Sequence, residues 1–162
     1  MKSAKQARVL FVCLGNICRS PTAEIIFQHL VDKENLGHRI QADSAGTGDW
    51  HIGKAPDSRA RRAALQRGYD MGHLRGRQVQ RQDFQDFDFV LAMDRDNLAN
   101  LRRLKPTNFD GHLGLFLAFG EKLSHDEVPD PYFGGDEGFE LVLDLIESAA
   151  EGLLQHITAQ LH

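Results

Sequence analysis

Residues Arg8–Leu14 (RVLFVCL) are almost wholly apolar and β-favouring, and the run stops abruptly at Gly15-Asn16. Such a run reads as a strand covered on both faces. Gly and Asn tolerate positive φ, so the chain can curl tightly directly after it. Ser20-Pro21 then opens an amphipathic segment, with Ser20 read as N-cap and Pro21 as the first helical residue. A strand that passes through a tight loop into a helix is the first half of a βαβ unit, and it commits the chain to a parallel sheet. The remainder follows suit. Apolar runs Arg39–Ala45, Phe87–Met93 and Gly114–Phe119 alternate with helical patterns at Asp57–Arg67, Asp96–Leu104 and about Glu137–Gln160. In the last of these Phe139, Val142, Ile146, Ala149, Leu153 and Ile157 recur at spacings of three and four, which buries one face. The expected architecture is α/β and three-layered, a four-stranded parallel sheet with helices on both faces. The 162 residues fit one domain, 1–162, with residues 1–7 read as a flexible N-terminal tail.

In such sheets ligands bind at the carboxyl ends of strands, so the loop after the first strand is where chemistry is expected. Its residues are Cys13, Leu14, Gly15, Asn16, Ile17, Cys18, Arg19 and Ser20. A curled loop that runs into a helix N-terminus turns backbone N–H groups inward and makes an anion nest, reinforced by the helix dipole. This is the expected phosphate loop. Arg19 adds a planar fork able to grip two phosphate oxygens. Cys13 sits at the strand end, on the floor of that cradle, where the positive field favours thiolate and makes it a nucleophile in line with a bound phosphate. The chain has only two cysteines, so neither a disulfide scaffold nor a four-thiolate metal site can be built.

The stretch Cys13-Leu14-Gly15-Asn16-Ile17-Cys18-Arg19-Ser20-Pro21 resembles the C-x5-R-S-P signature of the low-molecular-weight protein tyrosine phosphatase family. The likeness extends to Asp43-Ser44-Ala45-Gly46, to Asp83-Phe84 through Met93-Asp94, and to Asp130-Pro131-Tyr132-Phe133. It implies a two-step hydrolysis of aryl phosphate through a phosphocysteine on Cys13, without metal or cofactor. Asp130 would act as general acid and then as the base for water, and Arg19 would stabilise the phosphoryl oxygens. By the same resemblance Ser20 donates to the Cys13 sulfur, while Asn16, Ser44 and His73 hold the loop in shape. Trp50, Tyr132 and Phe133 would wall a deep cleft suited to phosphotyrosine. The resemblance also implies that Cys18 can pair with Cys13 under oxidation and guard it.

Several other readings are weaker. Gly48–Lys54 satisfies G-x-x-x-x-G-K, but Ala55 replaces the metal-ligating hydroxyl and Trp50, His51 and Ile52 crowd the interior. An arsenate reductase on this fold would pass a disulfide to a further cysteine, which the chain lacks. An arginine phosphatase would carry Thr where Ile17 stands. A net charge of −4 argues against a surface built for nucleic acid or anionic lipid. The Lys54–Arg81 segment is basic and the Glu121–Glu151 segment acidic, read as solvated helix faces. No run approaches the ~18 apolar residues of a membrane helix, and none resembles a signal peptide. The expected setting is cytoplasmic, with a phosphotyrosine protein as substrate and a monomer capable of weak self-association.

Overall fold

The structure is a computed structural model that describes residues 6–120, 123, 125–131 and 136–161. Strand β1 (Ala7–Cys13) leads into helix α1 (Arg19–Lys33), followed by β2 (Ile40–Gly46), α2 (Ser58–Gln66), a short α3 (Asp83–Asp86), β3 (Phe89–Ala92), α4 (Arg95–Leu104), β4 (His112–Leu115), a 3₁₀ turn (Phe116–Phe119) and α5 (Asp136–Leu161). The sheet has the order β2-β1-β3-β4, and every pair is parallel. β1 is therefore flanked on both sides, which explains why its sequence is apolar at nearly every position.

Alternation along β1 sends Val9, Phe11 and Cys13 to one face and Leu10 and Val12 to the other. The first face packs under α1, α2 and α5. Phe11 meets Phe27 and Phe116 edge-on at centroid distances of 5.7 and 5.0 Å. The second face packs under α3 and α4 through Phe84, Leu98 and Leu101. The stripe on α5 is buried throughout, from Phe139 to Ile157. Each large apolar side chain buried this way contributes about 1.5–3 kcal/mol.

Four local expectations are corrected. Ala7, placed in the tail, is the first residue of β1, and its N–H reaches the Arg39 carbonyl at 2.8 Å. Helix α1 starts at Arg19 with Cys18 at the cap position, so Ser20 does not cap it. The Ser20 hydroxyl is turned to the Cys13 sulfur instead. The fourth strand ends at Leu115 because its partner β3 ends at Ala92. With no ladder left to join, Phe116–Phe119 coils into a 3₁₀ turn. Helix α3 was not anticipated, and it shortens the third strand at its start.

Candidate active site

β1 delivers Cys13 to the carboxyl edge of the sheet, where its side chain is almost completely buried. Its Sγ lies 3.0 Å from Ser20 Oγ and accepts the Asn16 backbone N–H at 3.3 Å. Asn16 has φ +57°, in the left-handed region that most side chains avoid. Its amide holds it there. Nδ2 donates to Ser20 Oγ at 2.8 Å and to Ser44 Oγ at 3.0 Å, while Oδ1 accepts the Arg77 backbone N–H at 2.9 Å. Helix α1 has no side-chain cap, which leaves its first turn in the condition that receives an anion.

Arg19 begins α1, and only 4% of it is exposed. Its Nη1 donates to Asp94 Oδ2 at 2.7 Å and to the Val128 carbonyl at 3.0 Å. Its Nη2 lies 3.9 Å from Asp130 Oδ2. Burial works against the charge of this guanidinium. The neighbouring Cys13, Asp94 and Asp130 outweigh it and hold the pKa above the ordinary value. Cys18 behaves oppositely: burial pushes its thiol up, Cys13, Asp57 and Asp130 push it further, and Arg19 only partly offsets them. Both cysteines are free.

Cys13, Leu14, Gly15, Ile17, Cys18, Arg19, Trp50, His51 and Asp130 line one cavity of about 260 Å³. The segment that mimicked a nucleotide loop forms one of its walls. Trp50, 63% exposed, folds back over Gly48, where a Cβ would stand 1.7 Å from the indole. His51 packs against Gly15, where a Cβ would stand 2.9 Å from its ring. The His51 Nδ1 is buried without a hydrogen-bond partner among the described residues.

The structure thus brings Cys13, Arg19 and Asp130 together, with Trp50 at the mouth and Ser20, Asn16 and Ser44 behind the sulfur. His73, expected to help hold the loop in shape, is not among them: it is exposed, and the Asn16 oxygen is met by the Arg77 backbone. Tyr132 and Phe133 lie outside the described residues. Two site residues escaped the sequence reading. Asp94 lies two residues past the end of β3, at the carboxyl edge where a parallel sheet places ligand-facing groups. His51 adjoins Trp50 in the same glycine-bounded loop.

A family model described as low molecular weight phosphotyrosine protein phosphatase matches residues 8–162. A low molecular weight protein-tyrosine-phosphatase of Streptomyces coelicolor is 44% identical, over 94% of this chain and 94% of its own. The crystal structure of a protein tyrosine phosphatase from Entamoeba histolytica superposes with a TM-score of 0.91 at 38% identity, covering 95% of this chain and 98% of that one. A Drosophila arginine phosphatase superposes at 0.85 with 37% identity, covering 91% and 96%. With the cysteine-bearing loop, the buried arginine and the aspartate in one cavity at the carboxyl edge of the sheet, these likenesses place the chain in the low molecular weight phosphotyrosine protein phosphatase family.

Proposed function

We propose that the chain hydrolyses phosphotyrosine in proteins through a phosphocysteine on Cys13. The supporting observation is the shared cavity: a sulfur on its floor, a guanidinium at its side and a carboxyl group at its edge. In the first step the Cys13 thiolate forms a bond to phosphorus as the P–O bond to the tyrosine oxygen breaks. Protonated Asp130 gives its proton to that oxygen. In the second step Asp130 takes a proton from water, the water oxygen bonds to phosphorus, and Cys13 leaves as thiolate. Ser20 Oγ, 3.0 Å from the sulfur, is placed to donate to it as it leaves. Arg19 and the loop amides stabilise the equatorial oxygens in both steps. Asp94 and the Val128 carbonyl hold the guanidinium so that it need not reorganise.

The Drosophila neighbour raises phosphoarginine as a second substrate class. The apolar Ile17 in the cavity wall favours an aryl group over a charged guanidino group. The test is hydrolysis of aryl phosphate and of phosphoarginine by wild type, Cys13→Ser and Asp130→Asn. Cys13→Ser is expected to be inactive, and Asp130→Asn to lose about 10²–10⁴-fold. A Cys13→Ser variant with wild-type rate would overturn the mechanism. Preference for phosphoarginine would overturn the substrate.

A further inference from the structure

Behind the sulfur runs a continuous chain of polar contacts that ends on a carboxyl group. Ser20 and Glu24 stand four residues apart on α1 and so share one face of it. Across from them lie Asn16 of the loop and Ser44 of β2. The Ser44 hydroxyl donates to Glu24 Oε1 at 2.6 Å. Ser44 Oγ then accepts from Asn16 Nδ2, and the second hydrogen of that amide goes to Ser20 Oγ. The Arg77 N–H on Asn16 Oδ1 fixes which end of the amide faces the serines. Ser20 Oγ, occupied as an acceptor, keeps its own proton for Cys13 Sγ at 3.0 Å. The Ala45 carbonyl at 3.4 Å is its rival.

We propose that Glu24 is a positioning residue for the nucleophile: its carboxylate sets the direction of this relay and thereby aims the Ser20 proton at Cys13 Sγ. While Glu24 is ionised it can only accept, so Ser44 must donate outward and the amide must supply both serines. Once Glu24 is protonated it can donate to Ser44 as well. The Ser44 proton is then released from its one strong acceptor and the relay loses its direction.

The switch falls in a useful range. Burial pushes the Glu24 carboxyl up to about 7 against the pull of the Ser44 hydrogen bond, with Asp43 raising it further and Arg77 opposing. Asp43 from β2 and Arg77 from the segment before α3 are the charged groups acting on it. Arg77 is itself divided between Asp43 and Asp83, each at 3.0 Å. The relay is therefore set above neutrality and loosened below it.

This inference deepens the phosphatase reading and depends on it for the reaction, but not for the state of the thiol. Its test has two readouts across about pH 5 to 8.5. One is the rate of Cys13 alkylation by iodoacetamide, followed on the Cys13 peptide by mass. The other is kcat/KM on an aryl phosphate. Wild type should show an inflection near 7 in both, beyond those of the reacting groups. Glu24→Gln, which can donate to Ser44 as protonated Glu24 does and has no charge to lose, should abolish that inflection and leave both rates at pH 8 below wild type, by up to about tenfold. Glu24→Ala should abolish the inflection and slow both reactions about tenfold, the worth of one hydrogen bond. If the Glu24→Gln profiles superimpose on wild type after one scale factor, Glu24 is only a buried structural side chain and the proposal fails. If the alkylation profiles separate while wild type hydrolyses no aryl phosphate, the relay stands and the phosphatase reading fails.

Discussion

Asp94 Oδ2 accepts from Arg19 Nη1 at 2.7 Å while Oδ1 accepts the Asn97 N–H at 2.8 Å, so a single carboxylate caps α4 and anchors the Arg19 guanidinium. The two duties can be separated. Asparagine caps a helix about as well as aspartate, but it brings no charge to Arg19. Asp94→Asn should therefore melt within a few degrees of wild type yet lose roughly 10- to 100-fold in kcat/KM, the scale of a hydrogen bond to a charged group. Steady-state kinetics beside a thermal melt checks this. Equal kinetics would mean that the Val128 carbonyl alone suffices to hold Arg19. At this scale the sequence is an uneven guide. Cys13 and Arg19 announce themselves by a fixed spacing in one loop. Asp94 lies 75 residues from Arg19, and nothing local reports the pairing. His73 shows the converse: a polar residue expected to hold the loop in shape that lies exposed, away from the contacts around Asn16.

Helix α2 illustrates how an element supports the loop without touching the reaction. Asp57 caps it, its Oδ1 accepting from the Arg59 and Ala60 amides at 2.9 and 3.3 Å. The Asp57 backbone N–H also reaches the Ile17 carbonyl at 2.7 Å, which ties the start of α2 to the phosphate loop. Removing the side chain leaves that tie in place. Asp57→Ala is expected to cost about 0.5–2 kcal/mol in chemical denaturation and to leave kcat within about threefold. A large loss of kcat at unchanged stability would give Asp57 a direct part in the chemistry. Elements set by their own periodicity were legible: the apolar β1 and the striped α5 need only local pattern. Elements bounded by a partner were not. The end of β4 depends on where β3 stops, and the start of α1 depends on the loop turning Ser20 toward sulfur instead of toward its own helix amides. Glu24 looked like one more polar residue on α1, because only folding brings Ser44 and Asn16 against it.

At the scale of the molecule, the sheet order puts β1 between two parallel neighbours, with both of its faces covered. The segment that carries Asp130 is held differently. Its Val128 N–H meets the Met93 carbonyl at 2.8 Å and its Val128 carbonyl meets Arg19, both outside the β ladder. The strand that carries Cys13 and the segment that carries Asp130 should therefore differ in local stability. Amides of Val9–Val12 should exchange with deuterium only through global unfolding, whereas the Val128 amide should exchange through a smaller opening. Hydrogen-exchange mass spectrometry resolves the two, and equal protection would refute the distinction. The consequence is a temperature-dependent selectivity. Just below the melting transition, openings that displace Asp130 would leave the nucleophile seated, so esters of strongly acidic phenols, which depart without help from an acid, should outlast unactivated phenyl esters as substrates.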